Sequence, residues 1–416
     1  MPRRFLFDVT GLLHWYAYFS NPSGIQRVTE GLLRSVPFRQ SETVEYVARG
    51  LGGSTFYKID PAAFGHPAQL RALFVRSMRG AQPAALMADM WWYHLPYLGL
   101  GLSACLLPAL QSVAPPGPDD TLFNPGDLWW QPRYAPFTLE LKARTSVRVV
   151  QMVHDLFVID RPDWFGRSFV STFVSTFTRI APAVDRWVTN SHYVKDRLEK
   201  WLAEQSLPVK PIDVLPIGWD SFKPSALADK EVLRRYNLTE KSYILFVGTI
   251  EPRKNLATLL DAMEGLRRDL GARVPTLVVV GTYGWRSMRM AKRLWQEPST
   301  RWLSSVRDSE LPALYNQALF TVAPSHMEGW GLPVQESIAH GVPCIASSAG
   351  ALREAGRGLA VHFEPTDRAG LQALMAKWIT DGQMLARQRA LIRETLQNGI
   401  FPSWNDAGQT VLGLAE

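Results

Sequence analysis

The sequence predicts an α/β protein made of two doubly wound halves, each a parallel sheet covered on both faces by helices. Three observations carry this expectation. Strand-like and helix-like segments alternate from one end of the chain to the other, and the strand-like ones are near-continuous apolar runs. A polar, weakly patterned stretch, Asp220–Lys241, interrupts the alternation, which then restarts. At 416 residues the chain is long enough for two or three domains.

In the first half the expected strands are Arg4–Val9, Thr43–Ala48, Thr121–Pro125, Ser146–Asp155, Arg186–Ser191 and Ile212–Gly218. Helical patterns at Ile25–Val36 and His192–Glu204 separate some of them, and Pro115–Pro118 reads as a surface loop. After the junction come strand Tyr243–Thr249, helix Leu256–Asp269, strand Thr276–Gly281, helix Ser287–Gln296, strand Arg301–Val306 and helix Ser309–Gln317. Strand Leu319–Pro324, a short helix and strand Pro343–Ser348 follow. That short helix is set by "HMEGWGLPVQESIAHGVP" (His326–Pro343): Pro333 suits a first helical position, while Gly341 and then Pro343 stop the helix, giving Pro333–His340. The expected domains are residues 1–222, 223–385 and a terminal helical segment, 386–416, returning to the first. Two such Rossmann-like halves would place ligands at the carboxyl ends of their strands, facing a central cleft.

Composition narrows the classes. Hydrophobic residues make 46% and charged residues 20%, as in a soluble globular protein. The apolar start is broken by Asp8 and lacks a signal-peptide cleavage site, and no run approaches the roughly 20 apolar residues of a spanning helix. Two cysteines, Cys105 and Cys344, form no metal or disulfide pattern, so a cytoplasmic location is expected. The net charge of +7 favours anionic partners, but no dense basic run or nucleic-acid motif occurs, so nucleic acid is not expected as a partner. Tryptophan doublets in "DMWWYHLPYLGLG" (Asp89–Gly101) and "GDLWWQPRY" (Gly126–Tyr134) read as aromatic core, or as sugar-stacking or membrane-interface groups. The apolar run Tyr93–Leu110 reads first as core and second as a peripheral contact of the first half with the inner face of the cell membrane.

Four loops at expected strand ends carry chemistry. In "NPSGIQRV" (Asn21–Val28), Gly24 opens a helix with Arg27 in its first turn; close approach to a ligand and a plain turn are equally consistent readings. In "MVHDLFVID", His154 and Asp155 end a buried strand, the better place for a catalytic histidine than a lone core position. In "GTIEPRKNL" (Gly248–Leu256), Arg253 and Lys254 stand together at a glycine loop, a composition suited to a diphosphate, although exposed cations are usually mere surface. In the fourth, Glu328 lies in the loop and Glu336 in the short helix. Carboxylates beside a phosphate seat repel phosphate unless they accept hydrogen bonds from sugar hydroxyls. Basic residues for phosphate and acidic residues for sugar is the simplest combination.

These residues carry a resemblance. The spacing of Glu328 and Glu336 is similar to the E-x7-E signature of retaining glycosyltransferases of family 4, which have the GT-B fold. "VAPSHMEGWGLPVQESIAHGVPCIASSAGALRE" (Val322–Glu354) and "LFVGTIEPRKNLATLLDA" (Leu245–Ala262) extend it. "SGIQRV", "HDL", "TNSHYVKDRL" (Thr189–Leu198) and "LPIGWDSFKP" (Leu215–Pro224) look like the family's amino-terminal landmarks. It spans Phe5 to Pro365 and is looser between Leu51 and Ser146. The resemblance implies that Glu336 accepts from a donor ribose and Glu328 from hydroxyls of the transferred sugar. It sets the backbone of Gly329, Trp330, Gly331 and Leu332 against diphosphate and sugar. Arg253 and Lys254 would neutralise the leaving diphosphate, with Gly24 facing it across the cleft. His154 would sit near the anomeric carbon on an acceptor side that includes Asn21, Arg27 and Asp155. Many relatives have arginine where this chain has Thr249, which shifts weight onto Arg253 and Lys254.

The implied activity is transfer of a hexose from a nucleoside diphosphate sugar to a glycan or lipid-linked oligosaccharide, without a metal and without a covalent enzyme intermediate. The "GTIEPRKN" loop resembles that of bacterial enzymes building surface polysaccharides, many of which use GDP-linked mannose or its deoxy derivatives. The alternatives are a sugar-nucleotide epimerase, hydrolase or phosphorylase on the same architecture, and a non-catalytic nucleotide-sugar-binding protein.

Overall fold

The structure is a computed structural model that describes residues 3–19, 21–50, 55–77, 109–126, 133–220 and 229–415. The chain divides into two compact units, Met1–Gly218 with Ser403–Glu416, and Trp219–Pro402.

The first unit holds strands β1 (Phe5–Asp8), β2 (Val44–Arg49), β3 (Phe56–Lys58), β4 (Thr121–Asn124), β5 (Arg148–Val153), β6 (Arg186–Thr189) and β7 (Ile212–Val214). They form one sheet in the order β3-β2-β1-β4-β5-β6-β7. Every pairing is parallel except that of β2 with β3. The sequence reading missed β3, which has three residues. Its antiparallel sense follows from chain length. Six residues separate Arg49 from Phe56, too few for the dozen or more that a parallel crossover needs. Phe7 on β1 packs edge-on against Phe38 and Phe123, with ring centroids 5.1 and 5.2 Å apart. Fully burying such a ring contributes about 1.5–3 kcal/mol.

The second unit holds β8 (Tyr243–Val247), β9 (Thr276–Val280), β10 (Thr300–Leu303), β11 (Phe320–Ala323), β12 (Cys344–Ser347) and β13 (Val361–Phe363). Its order is β10-β9-β8-β11-β12-β13, parallel throughout. Alternate residues of one strand enter different cores. Ile244 and Phe246 of β8 pack with Leu259, Leu260 and Trp378, whereas Tyr243 and Leu245 pack with Val232, Leu311 and Leu314. Both faces are therefore covered, which is why these strands read as unbroken apolar runs. β13 is short and carries His362 at its centre, so periodicity did not reveal it.

The terminal segment departs from the expected boundary. The helix Gly382–Asn398 stays with the second unit: Ile392 is buried among Val334 and Ile338, and Gln388 donates to the Leu359 carbonyl at 2.8 Å. Only from Ser403 does the chain belong to the first unit. There the helix Trp404–Gly413 opens on a capping box made by Ser403 and Asp406, and Asn405 accepts from the Val36 amide at 2.8 Å. The expected junction, Asp220–Lys241, contains the helix Asp229–Arg235, held by Val232 and Leu233. Among the described residues six tryptophans are core, Trp164, Trp187, Trp201, Trp219, Trp378 and Trp404, whereas Trp285 and Trp295 are exposed. The two doublets, Cys105 and nearly all of the run Tyr93–Leu110 lie outside the described residues. Among the described residues no helix is long and apolar enough to cross a membrane.

Candidate functional site

In the second unit the strand order reverses between β8 and β11, which are hydrogen-bonded neighbours. In doubly wound sheets ligands bind at the carboxyl ends of the strands flanking such a reversal. The loops that leave β8 and β11 are the basic loop and the glutamate loop.

The basic loop begins at Gly248 and the half-buried Thr249. It makes a short 3-10 turn, Pro252–Lys254, and passes through Asn255 in the left-handed conformation before the helix Leu256–Leu270. Asn255 ties the two loops together, its Nδ2 donating to the carbonyls of Pro324 and Pro365 at 2.9 and 2.8 Å. The His326 amide adds a bond to the Arg253 carbonyl at 2.8 Å.

Glu328 is the centre of the arrangement. Its Oε1 accepts from Lys254 Nζ at 2.7 Å and from Ser325 Oγ at 2.6 Å, and its Oε2 pairs with the Arg253 guanidinium. Arg253 also donates to Glu251 Oε1 at 2.7 Å and to the Met327 carbonyl at 3.3 Å. Burial works to raise the Glu328 pKa, but Arg253, Lys254 and Ser325 outweigh it and hold it at about 2. Two carboxylates and two cations thus neutralise one another. Behind Glu328, Gly350 has a φ of +61°, and a Cβ there would stand 2.3 Å from the Glu328 carbonyl oxygen. The Ala351 amide donates to that same oxygen at 3.0 Å.

Gly329, Trp330 and Gly331 lead into the helix Leu332–Ala339. Pro333 takes its second position, one later than the sequence suggested, because Gly331 serves as the cap with a φ of 115°. Trp330 Nε1 donates to Gln335 Oε1 at 2.6 Å. Glu336 is buried, and its Oε2 accepts from the Tyr315 hydroxyl at 2.7 Å. The Tyr315 ring stacks on His340 with centroids 5.4 Å apart.

In the first unit the reversal falls between β1 and β4. His154, just past β5, is buried, and its Nε2 lies 2.6 Å from the Pro125 carbonyl, just past β4. Burial lowers its pKa to about 4 against the opposing bond to Pro125, so the ring is neutral. Donation from Nε2 leaves Nδ1 as the acceptor nitrogen. Asp155 Oδ1 caps the next turn, accepting from the Phe157 amide at 3.3 Å. Gly24 is the exposed first residue of the helix Gly24–Arg34, Arg27 is half-buried, and the carbonyl of the exposed Asn21 accepts from Trp15 Nε1 at 2.9 Å. One expectation is corrected here. The loop Asn21–Val28 does not directly follow the first strand, because the helix Thr10–Tyr18 intervenes. Leu12, Leu13, Tyr16 and Ala17 bury one side of it, and the Asp8 carboxylate starts it by accepting from the Thr10 amide at 2.9 Å.

The comparisons with known proteins bear on this arrangement. Residues 229–395 match the family described as Glycosyl transferases group 1. The chain is 28% identical over 284 residues to O-antigen chain mannosyltransferase B of Escherichia coli, a match covering 67% of this chain and 71% of that protein. The second unit carries a Glycosyl transferases group 1 domain, and the chain is a glycosyltransferase. The glycosyltransferase is also 27% identical over 216 residues to a GDP-mannose-dependent alpha-(1-6)-phosphatidylinositol monomannoside mannosyltransferase of Mycobacterium tuberculosis. That match covers 49% of the glycosyltransferase and 55% of the relative, about half of each. Its fold matches the crystal structure of WaaG, a glycosyltransferase involved in lipopolysaccharide biosynthesis, with a TM-score of 0.61 at 14% identity over 98% of this chain and 100% of that one. The fold is GT-B.

Sequence reasoning singled out Glu328, Arg253 and Lys254 but missed their partners. Ser325 and Glu251 lie inside stretches already quoted, and their spacing from Glu328 and Arg253 was the available signal. Gly350 also lies in a quoted stretch, but nothing in its spacing pointed to Glu328, and Tyr315 comes from another element and carried no signal. Among the described residues no three His, Cys, Asp or Glu side chains are grouped to hold a metal ion.

Proposed function

We propose that the enzyme is a retaining mannosyltransferase that moves mannose from GDP-mannose to a hydroxyl of a growing bacterial surface polysaccharide or its lipid-linked precursor. The observation that carries the reading is the convergence of Arg253 and Lys254 on Glu328 where the strand order reverses. A buried carboxylate held ionised beside two cations can accept from sugar hydroxyls while the cations turn to the departing diphosphate. The mannose and GDP assignments are supported by the names of the two relatives.

In the transfer, the bond from the anomeric carbon to the diphosphate oxygen breaks and a bond to the acceptor oxygen forms on the same face. The acceptor proton passes to the departing diphosphate. Charge develops on that diphosphate, and Arg253 and Lys254 stabilise it without a metal ion. Glu336 holds the ribose, Glu328 the mannosyl hydroxyls, and the backbone from Gly329 to Leu332, with Thr249, lines the donor. Gly24 is assigned to the donor side as part of this proposal. His154, Asp155, Asn21 and Arg27 serve the acceptor, His154 as a neutral ring. No residue acts as a nucleophile. Supply of nucleotide sugar places the reaction in the cytoplasm.

The test is incubation with GDP-mannose, UDP-glucose and related donors, following nucleoside diphosphate release with and without a mannose-terminated acceptor. Release from GDP-mannose that depends on acceptor is the expected result. Release without acceptor identifies a hydrolase, no release from any donor a binding protein, and preference for a UDP donor removes the GDP assignment.

A further inference from the structure

The helix Met288–Gln296 packs through one side. Ala291 and Leu294 are buried against the sheet, and Arg293 pairs with Asp261 and, at 4.0 Å, with Glu264. The opposite side is open. Met288 is 77% and Trp295 76% exposed, with exposed Lys292 between them. Their spacing of four and then three positions puts all three on one stripe. The stripe continues into the preceding loop, where Tyr283 and Trp285 are 53% and 47% exposed beside exposed Arg286 and Arg289. Trp302 links the aromatic groups, its ring 4.7 Å from Tyr283 and 6.3 Å from Trp295. Its own Nε1 donates to the Gly281 carbonyl at 2.7 Å.

Large apolar side chains left open in a connected group mark an interaction surface. The sign of the charge chooses among occupants. Asp261 and Glu264 are engaged by Arg293, and Glu297 by Arg267, which leaves this face positive. A second copy of the same face would bring like charges together. A neutral glycan would use the indoles but give the cations nothing to pair with. An anionic lipid surface uses both, with indoles and a thioether at headgroup depth and Arg and Lys against lipid phosphates.

We propose that this face of the second unit docks the protein on an anionic membrane. The sequence pointed to the first half for such contact, through residues outside the described ones. The inference is independent of the assigned donor and acceptor, since vesicle binding is read without either.

The test is co-sedimentation of the full chain with vesicles of equal parts phosphatidylglycerol and phosphatidylcholine, against phosphatidylcholine alone, at low and high salt. The expected result is binding to anionic vesicles that weakens with salt. Each cation near the surface is worth about fivefold in partitioning, so the double variant Arg289→Glu/Lys292→Glu should lower it by at least about 25-fold. Trp295→Ser should lower it as well. Both variants should keep the parent's melting temperature, which shows that they are folded. Three outcomes overturn the proposal: parent protein left in the supernatant with anionic vesicles at low salt, equal binding to neutral vesicles, or variants that sediment like the parent. Quenching of tryptophan fluorescence by a neutral oligosaccharide, lost in Trp295→Ser and without vesicle binding, makes the face a glycan surface instead.

Discussion

Lys254 places its Nζ 2.7 Å from Oε1 of Glu328, and both side chains are buried. This contact joins the turn after β8 to the loop after β11, and it sets a condition on the donor. A phosphate that reaches Lys254 competes with a carboxylate already there. Glu328→Gln should therefore leave nucleoside diphosphate affinity unchanged or raise it by up to about tenfold, the equivalent of one charge-assisted contact of about 1.5 kcal/mol. Transfer should fall sharply in the same variant. Calorimetry with GDP beside a turnover assay separates the two effects; weaker GDP binding contradicts the sugar-side role of Glu328.

Arg253→Ala and Lys254→Ala should each lower turnover on the order of 10²-fold, the scale of other contacts that stabilise a developing oxyanion. Chelator should have no effect on the parent enzyme. Activity that disappears in EDTA and returns with manganese contradicts the assignment of the leaving-group charge to these two side chains.

Glu336→Ala should weaken nucleoside diphosphate binding, with one or two charge-assisted bonds of about 1.5–3 kcal/mol lost. Tyr315→Phe removes a single hydrogen bond to the same carboxylate and should cost about 1 kcal/mol. If Tyr315→Phe abolished binding while Glu336→Ala did not, the ribose contact would be misassigned.

Acid should destabilise both units in a defined order. Burial lowers His154 and His340 to about 4 from 6.5. Between those values the unfolded chain binds more protons than the folded one, so stability is full above pH 6.5 and falls toward pH 4. Glu328, with its pKa held at about 2 against a usual 4.5, adds a loss that begins below pH 4.5 and is complete only near pH 2. Urea unfolding across this range measures the slope, and His340→Asn should flatten the upper limb. A parent protein equally stable at pH 4.5 and 6.5 contradicts the histidine contribution.

Gly350→Ala should lower stability by at least about 1 kcal/mol, because alanine is strained at a positive φ and its Cβ would collide with the Glu328 carbonyl. GDP should also bind less tightly, since the Gly329–Leu332 backbone proposed to line the donor must shift with the loop. A melting curve and a GDP titration read the two effects; an unchanged curve removes the support assigned to this loop.

The inner strands of the second unit were legible because they are largely apolar runs of four or five residues, mostly buried, as in Thr276–Val280 and Phe320–Ala323. The glutamate loop was legible because proline and two glycines fix its backbone locally. β3 and β13 escaped, being three residues long at sheet edges. The helix Thr10–Tyr18 escaped although Asp8, which accepts from its first amide, stands between its apolar residues and those of β1.

The sequence by itself determined most of the strands and helices and where the chain restarts, and it offered candidates for the phosphate and sugar contacts. Hydrophobic period, caps and turn residues act over a few neighbouring positions, so they can be read in order. Only the tertiary structure decided that Lys254 meets Glu328, 74 positions away, and that Tyr315 reaches Glu336, 21 positions further on. It also decided that the last helix leaves the second unit at Ser403, and that Trp295 faces outward while Trp378 is buried. Each of these outcomes depends on which strands lie side by side and which helix faces the sheet has already covered, and neither is encoded at any single position.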